Sequence, residues 1–573
     1  MKIDLDPKRN RILNTSGHIL VTGGPGSGKT TIALAKAHKV IEAGIHNNQE
    51  ILFLSFSRAA VSRIIDSAEG LLPKEIISGL SIQTFHSFYW SIIQSFGYLL
   101  GAPKKLNILL PHDEKTRQVD LALTDKEWKK KLPEIFFNEG LVAFDLFAKL
   151  ASEIFNQANR IADIYNKKYP LIIVDEAQDT ADDQWESLKY LANSSNMLCL
   201  ADLSQQIYDF IPGVGPKRIK IIEEDLLPTK VNLGLSNFRS PNSEINTFAK
   251  DILLDKPRGK SYHGVTFSLF PPQKNQRNKK IRQALGFTFK RLKKKIGRNP
   301  ESIALLAAFD KGVTVISEAL NEKPIRHKVL FDETAVILSS RVIAYFLEPK
   351  DSKKQNQQIV NALDLISDVL KVKGTKTSIK RAHKLEEWAK KVISGKSTRA
   401  KVVKVLQNIL SELSDYDFQG NPAKDWIYLR DLFYETGVNE LKAISKNVEY
   451  LIHFKRGKRI ATNLLEDWHQ YGSYKNAREA LSSAISEDQI LSGADNESGI
   501  YVMTIHKSKG KEFDGVIILR DQYLSPFVWK DDPKPFKKSR KLLRVGVTRA
   551  RYNVHILSSA IYPSCPILDR HNL

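Results

Sequence analysis

Residues Gly17 to Thr22 form a short apolar run that Gly23, Gly24, Pro25 and Gly26 close, after which the apolar period changes. Ile32, Leu34, Ala35, Ala37, Val40 and Ile41 then alternate with polar positions as one face of a helix does. A second apolar run, Ile51 to Leu54, follows one helix length later. Strand, glycine loop, helix and strand make the unit of a parallel α/β sheet with a right-handed crossover. From about Phe88 to Tyr169 the chain reads as mostly helical, and then Leu171 to Val174 and Met197 to Leu200 return as short β runs, each followed by acidic residues. The same strand pattern recurs at Ile303 to Leu306, Gly515 to Leu519 and Val554 to Leu557, with a second largely helical stretch between.

Two α/β domains with parallel sheets, each carrying a mostly helical inserted subdomain, account for this pattern. The expected first domain comprises residues 1–87 and 166–270, interrupted by 88–165. The expected second comprises 271–344 and 496–573, interrupted by 345–495. A chain of 573 residues is too long for one ordinary core, so several domains are also expected from length alone.

Charge narrows the partners. Lysine and arginine number 87 against 64 acidic residues, a formal +23, and a surplus of that size suggests a polyanion, most commonly a nucleic acid. Residues 274–298 hold eleven basic residues and no acid, and 353–404 hold fourteen against four. Either stretch touches phosphate or is the wet face of an amphipathic helix. Cys199 and Cys565 make neither a disulfide framework nor a zinc site. No signal-peptide core and no run of 18 apolar residues is present, so the expectation is a cytoplasmic protein with no membrane contact.

The sharpest chemistry lies in Gly23-Gly24-Pro25-Gly26-Ser27-Gly28-Lys29-Thr30, which fits G-x-x-x-x-G-K-S/T between a strand and a helix. Glycines let successive N–H groups point at phosphates, and the following helix adds its positive end. Lys29 is expected between β- and γ-phosphates, and Thr30 on a magnesium ion. Asp175 and Glu176 emerge from a strand that reads as buried on both faces. There Asp175 would hold the metal and Glu176 would orient and deprotonate the attacking water.

Together these motifs resemble those of superfamily 1 DNA helicases of the UvrD/Rep/PcrA type. They occur in family order: GGPGSGKT at 23–30, SFSRAAV at 55–61, TFHSF at 84–88, DEAQD at 175–179, ADLSQQIYDF at 201–210, NFRS at 237–240, TIHKSKGKEF at 504–513 and VGVTRAR at 545–551. The resemblance implies two RecA-like P-loop domains that bind ATP with magnesium in the cleft between them, and 3′ to 5′ movement on single-stranded DNA with unwinding of tailed duplex. It makes Gln205 the γ-phosphate-sensing glutamine, Arg239 and Arg549 the arginines that reach the γ-phosphate, Glu512 the acid near the ribose, and Phe238 the ring beside the adenine. It places Phe56, Tyr208 and Phe210 against bases in the single-stranded track, and Thr84, His86, Thr504 and His506 along the same track or between it and the nucleotide.

Departures from the family pattern are specific. Arg9 stands where the family has its adenine-reading glutamine, which removes a paired donor and acceptor and weakens the expected preference for ATP over GTP. Thr31 replaces an arginine that often follows the phosphate-loop threonine, Ile211 an arginine after the stacking ring, and Arg544 a tyrosine before Val545. The chain is shorter than typical members, chiefly in its second insertion. In this it resembles compact relatives that serve in phage defence beside a nuclease, such as the Gabija helicase subunit. A partner nuclease or a repair or defence protein is accordingly one expectation. A nucleotide-gated DNA-binding sensor or scaffold that regulates such a nuclease, without processive unwinding, is the alternative to a motor.

Overall fold

The computed structural model describes residues 6–24, 26–202, 216–234, 244–323, 325–330, 334–373, 375–448, 455–490, 498–529 and 532–571. The chain divides into two compact units, one of Met1–Tyr89, Ala148–Phe331 and Gly493–Leu573, the other of Trp90–Phe147 and Asp332–Ser492.

The first unit holds two parallel six-stranded sheets. In chain order the strands are β1 (Ile19–Thr22), β2 (Ile51–Ser55), β3 (Leu80–Thr84), then β4 (Asn107–Leu109) and β5 (Leu141–Ala143) of the other unit, β6 (Leu171–Val174), β7 (Asn196–Ala201), β8 (Thr229–Asn232), β9 (Val265–Phe270), β10 (Ser302–Ala307), β11 (Lys328–Leu330), β12 (Gly499–Thr504), β13 (Phe513–Arg520) and β14 (Ala550–Ser559). The first sheet runs β3-β2-β6-β7-β1-β8 and the second β11-β12-β10-β13-β14-β9. Helices cover parallel strands on both faces, so inner strands read as unbroken apolar runs. All four residues of β6 and all eight of β13 are buried accordingly. Because β1, β6 and β7 lie side by side and parallel, the phosphate loop, Asp175 and Asp202 leave the sheet at one edge, the carboxyl edge where open sheets bind ligands.

Several expected boundaries move. Val265–Phe270 belongs to the second sheet, paired with β14 in the register Val554 to Val265, although residues up to 270 were expected in the first domain. The preceding helix Ile245–Leu254 buries Ile245, Phe248 and Ile252 in the core of that same second sheet. An edge strand's sequence does not say which sheet it joins; pairing with a strand nearly 300 residues away decides it. Helices Phe147–Gln157 and Asn159–Lys168, expected in the first insertion, group almost entirely with the first unit, and Thr334–Leu347, expected mostly in the second domain, groups with the other.

The two expected insertions also share one core. Leu110, from the first segment, packs in a cluster with Ile343, Phe346, Leu363, Trp426 and Leu441 from the second. Polar pairs join the same segments: Arg341 with Asp113, and Lys371 with Asp120. The basic stretch 353–404 resolves mainly into amphipathic helices whose inner faces bury Ala382, Leu385, Val402 and Leu406, which leaves its lysines largely on the wet side. Among the described residues no helix is long and apolar enough to cross a membrane.

Candidate active site

The loop after β1 is pinned at both ends of its turn. Gly23 N–H donates to Ala201 O at 3.1 Å, and Gly24 N–H to Gly234 O at 3.0 Å. A Cβ on Gly23 would lie 2.6 Å from Ser27 Oγ and 3.3 Å from Leu233 Cβ, and Gly26 and Gly28 have φ of 75° and 85°, a region that side chains disfavour. Helix Lys29–Glu42 begins at Gly28 with no side-chain cap, so Thr30 and Thr31 lie in a first turn whose N–H groups are open to an anion. Lys29 Nζ rests on the loop's own carbonyls, 2.8 Å from Gly23 O and 3.1 Å from Gly24 O, with Asp202 at 3.9 Å. Ser27 Oγ is buried with no hydrogen-bond partner. A cradle too tight for Cβ atoms, a lysine folded back on carbonyls and an unused buried hydroxyl together fit a phosphate chain. Pro25 lies outside the described residues.

Arg9 comes from the helix Pro7–Asn14. Its guanidinium is paired with Asp6 and donates to Ser27 O at 2.8 Å, so it braces the phosphate loop from behind.

Acids gather opposite the loop. Asp175 follows β6, and its N–H donates to Leu54 O at 2.9 Å while Ser55 Oγ donates to its carboxylate at 3.3 Å. Burial first, and then the charge of Glu176, push Asp175 up to about 6. The charges of Arg63 and Lys29 and the Ser55 hydrogen bond offset part of that rise. Glu176 has φ of 52°, a left-handed conformation that a non-glycine residue holds only when its surroundings enforce it. Gln178 enforces it: its amide donates to Glu176 Oε2 at 2.5 Å and accepts from Asp202 N–H at 2.9 Å. Burial opposes ionisation of Glu176, yet Lys509, Lys29, Gln178 and Arg549 together hold its pKa below the usual carboxylate value.

The second sheet supplies the cations. Lys509, after β12, is ion-paired with Asp179, whose carboxyl burial lifts to about 7 against that pairing. Arg549, before β14, is almost fully buried and held by Val545 O at 3.0 Å, Lys511 O at 3.3 Å and Thr548 Oγ1 at 3.1 Å. Arg544 is buried too; burial lowers its pKa, while Asp202 and Glu176 pull the other way. Glu512, expected near a ribose, is gripped by Arg63 at 2.7 Å and approached by Arg551 at 3.5 Å.

Residues expected on a nucleic-acid track sit at the same carboxyl edges. Phe56 lies beside Phe85, with ring centroids 4.8 Å apart. Thr84 Oγ1 accepts from Ser87 N–H at 3.1 Å, and His86 beyond it is exposed. Thr504 ends β12 and His506 follows, its ring 6.3 Å from Trp529. Gln205, Tyr208, Phe210, Ile211, Phe238 and Arg239 lie outside the described residues.

Sequence reasoning passed over Gln178, Asp179, Lys509, Arg63 and the role of Arg544. Gln178 and Asp179 stand within DEAQD, and Lys509 within TIHKSKGKEF, but only folding shows that they meet.

Comparison with known families accords with this geometry. Residues 5–138 and 123–214 match the UvrD/REP helicase N-terminal domain, and 187–560 match the UvrD-like helicase C-terminal domain. The chain belongs to the UvrD/Rep helicase family. Its two parallel sheets are the family's two RecA-like domains, and this helicase is an enzyme of that class. It is similar to DNA helicase II of Rickettsia typhi (22% identity over 98% of this chain and 93% of that one). It is also similar to the ATP-dependent DNA helicase Rep of Buchnera aphidicola (23%, covering 95% and 93%) and to PcrA of Staphylococcus epidermidis (22%, covering 96% and 82%).

Proposed function

We propose that this helicase hydrolyses ATP with magnesium to move 3′ to 5′ along single-stranded DNA and to part duplex from a tail. The observation that carries this reading is the convergence of Lys509 and Arg549, from the second sheet, on the charge of Glu176 at the end of a first-sheet strand. In this reading the base is complete only while the two RecA-like domains stand together, which couples hydrolysis to their motion.

Glu176, ionised and aimed by Gln178, takes the proton of the attacking water. Lys29 leaves the loop carbonyls for the phosphates, and Arg549 neutralises charge on the transferred group. Thr30 and Asp175 supply hard oxygen ligands for magnesium, which when bound neutralises phosphate charge. Arg9 holds the loop in shape through Ser27.

That relatives matched over 95% and 96% of this chain are named ATP-dependent DNA helicases supports DNA as the polymer. Phe56, Thr84, His86, Thr504 and His506 are the proposed contacts among the described residues. ATP turnover with and without single-stranded DNA tests the reading; equal rates defeat it. Tailed duplexes with opposite overhangs test direction, and unwinding only from a 5′ tail contradicts the polarity.

A further inference from the structure

Phe309 is an exposed aromatic ring in a rigid setting, 43% accessible, two residues beyond β10. Ala308 N–H donates to Ser525 Oγ at 2.8 Å, and Ile505 N–H donates to Ala307 O at 2.9 Å, so the ends of β10 and β12 are tied to each other and to the loop after β13. Helix Asp310–Asn321 starts at once and is pressed tightly below. A Cβ on Gly312 would meet Ala307 Cβ at 2.6 Å and Leu524 O at 2.9 Å. The turn has no slack with which to fold Phe309 inward.

Three rings follow one another at this edge. His506 and Trp529 have centroids 6.3 Å apart with planes 23° from parallel, and Trp529 and Phe309 are 6.5 Å apart at 21°. Trp529 leans on the core of the second sheet, and burial lowers the pKa of His506, which favours its neutral ring. The middle ring of the three, Trp529, is the one packed on the core, and Phe309 at one end is exposed. Among the described residues most other aromatic pairs are tilted or edge to face, such as Phe88 with Tyr165 or Phe346 with Phe433, although Trp90 with Phe147 and Tyr416 with Tyr428 also lie near parallel.

We infer that Phe309 is a base-stacking residue for single-stranded DNA, the outer face of a His506–Trp529–Phe309 stack on which an unpaired nucleobase lies. The inference rests on the DNA-tracking reading above and adds a base-stacking ring beside His506 in the second RecA-like domain. A nucleobase suits this surface better than an apolar protein side chain. Near-parallel rings that end at an exposed one offer a surface for stacking, and stacking accepts any base.

The test uses the full chain, Phe309→Ala, Phe309→Trp, and oligothymidine carrying a 2-aminopurine. Wild type is expected to quench the 2-aminopurine on binding. Phe309→Ala should lose the quench and weaken single-strand affinity roughly 5- to 150-fold, the range of one stacked base. Basal ATP turnover should stay within twofold, and Phe309→Trp should restore both quench and affinity. Unchanged affinity and quench in Phe309→Ala overturn the inference. So does a loss that Phe309→Trp fails to rescue, or a variant that binds DNA normally but loses a partner protein. Failure of the parent reading is seen separately, as wild-type turnover that single-stranded DNA does not stimulate.

Discussion

The Lys509 ammonium, carried by the second sheet, is ion-paired with the Asp179 carboxylate, carried by the first, and both groups are largely buried. Lys509 is also the leading cation that keeps Glu176 ionised against its burial. Lys509→Ala is expected to lower ATP turnover at least about tenfold, since unpairing a buried charge typically costs about 3–5 kcal/mol. The acidic limb of the kcat profile should move to higher pH, because the base then needs a higher pH to ionise. A limb that stays in place would show that Lys509 is structural only.

Asp175 has a folded-state pKa near 6, above its value in an unfolded chain. The sign follows from proton counts: the folded form binds more protons, so this group's contribution is present below about pH 4 and is lost as pH rises through 6. Without nucleotide and magnesium, Asp175→Asn is expected to gain stability over wild type at pH 8 and to match it near pH 4. Denaturant midpoints of both proteins at the two pH values measure this, and a gap that is equal at both would refute it.

Arg9 donates to the backbone of the phosphate loop at Ser27 O. Arg9→Ala therefore should raise KM for ATP and GTP by the same factor, about tenfold for a charge-assisted hydrogen bond of about 1.5 kcal/mol. Steady-state kinetics with both nucleotides decide the matter. A change confined to one of them would put Arg9 at the base.

Helix Lys274–Ile296 carries ten basic residues and no acid, with Ile281, Leu285 and Leu292 buried beneath it. Lys290 has Lys293 and Lys294 one turn away, and like charges at that spacing repel. Lys290→Glu should raise the apparent urea midpoint by an amount worth about 0.5–1 kcal/mol, and no gain would mean that those lysines are already neutralised by another group.

Much of this was legible in advance because it is local. A loop such as Gly23 to Thr30 is read from adjacent residues, and β6 from an unbroken apolar run before two acids. What stayed hidden depends on partners distant in sequence. Gln178 is an ordinary amide until Asp202 donates to it, and Arg63 an ordinary helix residue until Glu512 arrives from 449 positions away. The hydrogen bond from Arg9 to the Ser27 carbonyl is likewise invisible in the sequence, because no motif records a backbone acceptor.

The order of the strands has a consequence for how the molecule is made. Strand β14, residues 550–559, lies between β13 and β9, so its slot is open until those residues have been synthesised. The helical unit likewise draws one core from residues as far apart as Leu110 and Ile485. The first sheet has all its strands by residue 232 and folds early on the ribosome; the second sheet and the helical unit mature late, as long-range pairings do. The phosphate loop is therefore synthesised well before Lys509 and Arg549, whose charges act on Glu176.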